Sequence, residues 1–237
     1  MTGVSLQRRR SDTLPVVNEH DCETAERMRS RLVHGDASAE SVALRAALLD
    51  VAPVERDAWL DLAFGLGPLP DDGPDLPRGC VPYLACRVES LLRAIDLARI
   101  DASNTLVDVG SGAGRAAALI RLLTGASVVG VEVQRALVDA SRDLVARLRL
   151  DRISFVAAEV PPLPEAARTG SVFLLNCPFG GDRLVRLLAE LEPVARAQPI
   201  QICCVDLPLP PCPWLVPLAA SGDVEIHRSL VITETGS

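Results

Sequence analysis

The sequence predicts an α/β protein built on a doubly wound, mostly parallel sheet, and three observations carry the prediction. The first is Val107-Asp108-Val109-Gly110-Ser111-Gly112-Ala113-Gly114-Arg115, which reads as a buried strand turning through glycines into a helix. The second is Gly130-Val131-Glu132, where another strand ends on an acid. The third is the alternation, from residue 105 onward, of short apolar runs with amphipathic helical stretches. That is the pattern of parallel strands joined by crossover helices.

The elements follow in order. Arg8-Arg9-Arg10 is not followed by an apolar run, so residues 1–17 read as a flexible, solvated tail and not as a secretory signal. Helices are expected over 19–33, 39–51 and 54–64, punctuated by Gly35-Asp36 and Ala52-Pro53. A breaker-rich loop, Gly65 to Gly79, contains Pro68, Pro70, Pro74 and Pro77. Residues 18–79 thus form a helical cap with its linker, and 80–237 the main domain. Leu84, Val88, Leu91, Leu92 and Ile95 place one apolar face on a helix over 84–98. Strands are expected at 105–109, 127–131, 153–156, 171–175, 200–205 and 224–232. Helices are expected near 113–123, 135–148, 181–194 and 213–219. Leu106, Val107 and Val109 are the apolar run that a buried parallel strand requires. Ala116, Ala117, Ala118, Leu119 and Ile120 are strong helix formers.

Composition bounds the chemistry. The chain has 237 residues, 49% of them hydrophobic, enough for one good core and a modest accessory element. Its cations are all arginine, with no lysine, which excludes Schiff-base and other lysine catalysis. A formal charge of -7 argues against nucleic-acid backbone as the main partner. The seven cysteines form no C-x-x-C pair and read as reduced thiols of a cytoplasmic protein. His20, His34 and His227 are too scattered to join them as ligands, so no metal site is expected. No run approaches the roughly 18 apolar residues of a membrane span.

The glycine spacing selects the ligand. A dinucleotide fingerprint puts glycines at its first, third and sixth positions. Here the sixth is Arg115, and the third glycine arrives early, at Gly114. With Asp108 the pattern is D-x-G-x-G-x-G, which resembles motif I of the class I S-adenosylmethionine (SAM) methyltransferases. The resemblance implies a Rossmann-like methyltransferase sheet of six or seven strands, SAM as cofactor and S-adenosyl-L-homocysteine as product. That family usually ends in an antiparallel strand pair, of which only 224–232 is apparent here. Within the resemblance, Gly110, Ser111, Gly112 and Gly114 make the cofactor loop, and Asp108 meets the ammonium end of the ligand. Glu132, followed by Val133, accepts from the ribose hydroxyls. Ala158 and Glu159 match the positions that meet the adenine ring and its amino group, although Asp is the usual acid. Tyr83, in Val81-Pro82-Tyr83, matches a segment that often lies over the methionine end. Packing under the lid is the other reading of this residue.

The acceptor side is expected at Asn176-Cys177-Pro178-Phe179, which ends the fourth strand. It resembles the N-P-P-F/Y motif of methyltransferases that act on amino or amide nitrogen, with Cys177 in place of the first proline. The resemblance implies that Asn176 and a following backbone carbonyl accept from the target N–H groups, with Pro178 shaping the turn and Phe179 stacking on a planar acceptor. Asn176 also borders the cofactor. The other reading is a strand-end turn that uses Asn and Pro for shape alone. Trp59 and Trp214 read as core residues, and the five prolines between Leu207 and Pro217 as a stiff loop at the mouth of the sheet.

The layout also resembles small bacterial class I methyltransferases and, in its cofactor half, the non-SET histone-lysine enzymes. The leading expectation is a SAM-dependent methyltransferase acting on nitrogen of a protein side chain or a small metabolite. The alternatives are a nucleic-acid base N-methyltransferase and a SAM-binding regulatory protein without turnover. Fold alone does not choose among acceptors.

Overall fold

The computed structural model describes residues 18–35, 37–71, 73, 76, 77 and 79–230. The arginine triplet of the expected tail and Ile232 lie outside them. Helices α1 (Glu19–His34), α2 (Ala37–Asp50), α3 (Arg56–Phe64) and α4 (Val88–Ala98) precede the sheet. Strand β1 (Thr105–Val109), α5 (Arg115–Thr124), β2 (Ser127–Glu132), α6 (Arg135–Arg147) and β3 (Ile153–Ala157) follow. The chain continues through β4 (Val172–Asn176), α7 (Gly181–Ala197), β5 (Gln201–Val205), β6 (Leu215–Ser221) and β7 (Val224–Ser229).

The seven strands lie in the order β3-β2-β1-β4-β5-β7-β6. All neighbours are parallel except β7, which runs antiparallel to both β5 and β6. The order reverses at β1 and β4, so the C-terminal ends of these strands open the crevice where such sheets bind ligands. Apolar residues fill both faces. One core joins α4, α5 and the N-terminal helices, with Trp59, Phe64, Leu91 and Leu119 fully buried. The other packs Phe173, Leu175, Leu187 and Ile202 beneath α7. The α1–α3 cap is continuous with the first core, and its Trp59 Nε1 donates to Thr24 Oγ1 at 2.9 Å.

Two expectations are corrected. Residues 213–219 are not a helix, because Leu215–Ser221 forms β6, and the sheet therefore has seven strands with the antiparallel pair intact. Pro217 misled the reading, since a proline is tolerated on an edge strand, and the tight turn at Gly222 (φ 61) folds β6 back onto β7. The helix expected from Leu84 begins instead at Val88. There the Asp57 carboxylate accepts the Val88 N–H at 2.9 Å and fixes the first turn. Residues 80–87 run without helix as a strap across the strand ends, leaving Leu84 72% exposed.

Candidate functional site

A cleft of about 120 Å³ opens at the C-terminal ends of β1, β2, β3 and β4. Its walls come from the strap, from the residues closing β1 and β2, from Ala158 to Val160, and from the turn Asn176 to Phe179. Of the residues expected at the site, Tyr83, Gly110, Glu132, Val133, Ala158, Glu159, Asn176, Pro178 and Phe179 line it. Asp108, Ser111, Gly112 and Gly114 stand behind that lining.

The loop after β1 is built by local rules. Gly110, Gly112 and Gly114 take φ of 79, 53 and 77, left-handed values that residues with a Cβ rarely adopt. Gly114 answers a packing need. A Cβ there would stand 2.8 Å from Phe155 Cζ and 2.7 Å from Ser141 Cβ, so it lets α5 sit close to the sheet. Ser111 is buried.

The two strand-end acids differ in environment. Glu132 is held by backbone donors, with Oε2 accepting from Gly112 N–H at 3.0 Å and Oε1 from Gln134 N–H at 2.8 Å. A carboxylate has about four lone-pair directions, so both oxygens keep capacity for ligand hydroxyls. Asp108 is 3% exposed, and its Oδ2 has no partner. Burial, and secondarily the Glu132 charge, push its carboxyl up to about 7.

The acceptor turn is tied to the strap. Asn176 Nδ2 donates to the Leu84 carbonyl at 3.1 Å, and the Val81 N–H donates to the Pro178 carbonyl at 3.1 Å. Cys177 sits at φ 46, a value closed to proline, whose ring fixes φ near −65°. The turn therefore shares residue types, but not backbone shape, with an N-P-P-F turn. Phe179 is 4% exposed, with the Arg183 guanidinium 5.8 Å from its ring centroid. It is a buried ring that reaches the cleft wall and not an open platform. Glu159 pairs with Arg183 Nη2 at 2.6 Å.

A family model described as protein-L-isoaspartate(D-aspartate) O-methyltransferase matches residues 82–160. The match runs from the strap through β1, the glycine loop and β2 to the end of β3, and stops before Asn176. Joined to the seven-stranded order and the glycine loop, it fits one fold. The chain has the fold of the class I, Rossmann-like methyltransferases, whose cofactor is SAM.

Among solved structures, an RNA methyltransferase from Salinibacter ruber in complex with S-adenosyl-L-homocysteine is 19% identical, covering 65% of this chain and 97% of its own, at a TM-score of 0.49. A putative methyltransferase, yhhF, from Escherichia coli is 16% identical over 68% of this chain and 91% of its own, also at 0.49. A SAM-dependent methyltransferase from Aquifex aeolicus is 18% identical over 61% and 89%, at 0.44. No curated protein matches the chain by sequence.

The buried residues fit that cofactor. A carboxylate held in apolar surroundings with an unpartnered oxygen calls for a cation, and Asp108 would receive one in the ammonium of SAM. Glu132 would hold hydroxyls, and Ala158 and Glu159 border the same cleft.

Two arginines of the chain escaped the sequence reading. Arg115, which opens α5 and is 4% exposed, bonds Asp57 and Asp61 of α3 at 2.7 and 2.9 Å and the Cys86 carbonyl at 2.6 Å. Arg183 joins Glu159 and the Val160 carbonyl to Phe179. Both look like surface cations in sequence, because the acids they pair with lie 24 or more residues away. Arg115 carried one weak signal, as an arginine where a glycine fingerprint would place its last glycine.

Proposed function

We propose that the protein transfers the methyl group of SAM to a nitrogen of a protein side chain or small metabolite, by in-line displacement. The observation that carries this reading is Asn176. Its Nδ2 is committed to the Leu84 carbonyl, so Oδ1 is left as the acceptor that a target N–H would meet in the cleft. With the Pro178 carbonyl taken by Val81, the second acceptor of the turn is the Cys177 carbonyl.

The chemistry asks the protein for alignment. SAM supplies an activated methyl group on a sulfonium that leaves without acid assistance. The residues around the cleft hold the nucleophile in line and exclude water, an orientation effect worth up to roughly 7–11 kcal/mol. Among the described residues, the charged ones lining the cleft are Glu132 and Glu159, the latter paired with Arg183. Such walls favour a neutral or cationic acceptor over a phosphate-bearing one, which sets the protein-or-metabolite reading above a nucleic-acid one.

The test begins with isothermal titration of S-adenosylhomocysteine, with NAD as the control titrant. Micromolar binding of the first alone supports the cofactor assignment, and its absence both from the wild type and from folded variants with an opened cleft removes the basis of the proposal. Labelled SAM is then incubated with protein, low-mass and nucleic-acid fractions of an extract. Label stable to mild base in the first two fractions supports nitrogen. Base-labile label would indicate a carboxyl ester, as made by the enzymes whose family model matches residues 82–160. Binding without transfer to any fraction would leave a SAM-binding regulatory protein.

A further inference from the structure

We propose that Tyr83 sets the cofactor affinity of this protein: its ring and hydroxyl stand where the amino-acid half of SAM must bind, so the glycine loop accepts cofactor only when Tyr83 swings out. This rests on the SAM reading above. It also departs from both readings that the sequence offers for Tyr83, a cofactor contact or packing under the lid, and makes it an internal competitor.

The ring lies directly on the loop. A Cβ at Gly112 would stand 1.9 Å from Tyr83 Cε2 and 2.3 Å from Cδ2, so the second glycine of the motif is here filled by tyrosine. The loop's donors are also spent. Gly110 and Ser111 give their N–H groups to the Val131 carbonyl at 2.8 and 3.1 Å, and Gly114 gives its own to the Ser111 carbonyl at 3.0 Å. Gly112 donates to Glu132, and Ala113 donates to the phenol oxygen of Tyr83. A cofactor carboxylate therefore meets no uncommitted N–H from 110 to 114. The partner that can leave without disturbing the strands or the ribose acid is Tyr83.

Two further observations agree. The cleft of about 120 Å³ is well below the roughly 300–1,000 Å³ of small-molecule sites, as expected if a side chain fills part of it. Behind the loop, Asp108 is buried with an oxygen unpartnered, so the loop lies over an acid that the cofactor ammonium would satisfy.

The test compares S-adenosylhomocysteine affinity of the wild type, Tyr83→Phe and Tyr83→Ala by titration calorimetry, with circular dichroism as the check on folding. If the closed form dominates by about ten to one, removing the ring tightens apparent binding about tenfold. Tyr83→Phe, which removes the hydroxyl and so frees the Ala113 N–H, is expected between the two. Tyr83 is the only tyrosine of the chain, so second-derivative ultraviolet absorbance follows it alone. Saturation with S-adenosylhomocysteine is expected to shift its signal from buried to solvated. Binding by Tyr83→Ala but not by the wild type is the strongest supporting result. Weaker binding by Tyr83→Ala, or equal affinities with an unmoved tyrosine signal, overturns the proposal and leaves the SAM reading standing. No binding by any of the three folded proteins overturns both.

Discussion

Glu132 and Gly112 are joined by a 3.0 Å hydrogen bond from the glycine N–H to the carboxylate, so one acid both shapes the loop after β1 and lines the cleft. The second oxygen, on Gln134 N–H, anchors the start of α6. Replacing Glu132 with alanine removes charge-assisted bonds worth about 1.5–3 kcal/mol each. The S-adenosylhomocysteine dissociation constant is expected to rise at least about tenfold. Calorimetry checks it, and an unchanged constant would remove Glu132 from the ribose site.

Asn176→Ala separates binding from transfer. The side chain donates to Leu84 and lines the cleft at the end of β4. Affinity for S-adenosylhomocysteine is expected to stay within about threefold, while methyl transfer from labelled SAM falls at least about tenfold, as for loss of an orienting contact. A collapse of binding would place Asn176 in the cofactor pocket instead.

Asp108 makes stability depend on pH in a stated direction. Its carboxyl, raised to about 7 by burial and by Glu132, binds a proton more tightly folded than unfolded. Its contribution is therefore full below the ordinary carboxylate pKa, near 3.9, and is lost as pH rises through about 7. Asp108→Asn keeps the shape and removes the buried charge. At pH 8 the ligand-free variant is expected to be more stable than wild type by about 1–3 kcal/mol, with the difference closing toward pH 4. Urea unfolding across this range measures it. The same variant is expected to bind S-adenosylhomocysteine more weakly at pH 8, because the cofactor ammonium loses its counter-charge.

How far the sequence could be read follows from which interactions are local. β1, the glycine turn and α5 are a continuous run whose periodicity and glycine spacing declare themselves, so Asp108, Gly110 and Glu132 could be named before the structure. β6 was hidden because Leu215-Val216-Pro217 is ambiguous until β7 is available to pair with it. The φ of Cys177 was hidden for a related reason, since the turn is set by bonds to a strap nearly a hundred residues earlier. The ring of Tyr83 on Gly112 and the buried Arg115 cluster are likewise contacts between distant segments. No spacing rule reports them.

Arg115 supplies the final prediction, because it joins the cap to the cofactor half. The guanidinium is 4% exposed in its side chain, while those of Asp57 and Asp61 are 36% and 45% exposed. The pairs are therefore weaker than fully buried ones, whose disruption costs about 3–5 kcal/mol. Arg115→Met keeps the apolar stem and is expected to cost about 2–3 kcal/mol, discounted for the solvated acids. Asp57→Asn removes the charge but keeps an oxygen for the Val88 N–H that it caps. If Arg115 and Asp57 act as a pair, the double variant falls short of additivity by about 1–2 kcal/mol in chemical denaturation. Strict additivity would mean that Arg115 serves chiefly the Cys86 carbonyl and the strap. In that case Arg115→Met would alter S-adenosylhomocysteine binding while Asp57→Asn left it unchanged, which calorimetry on the two single variants would show.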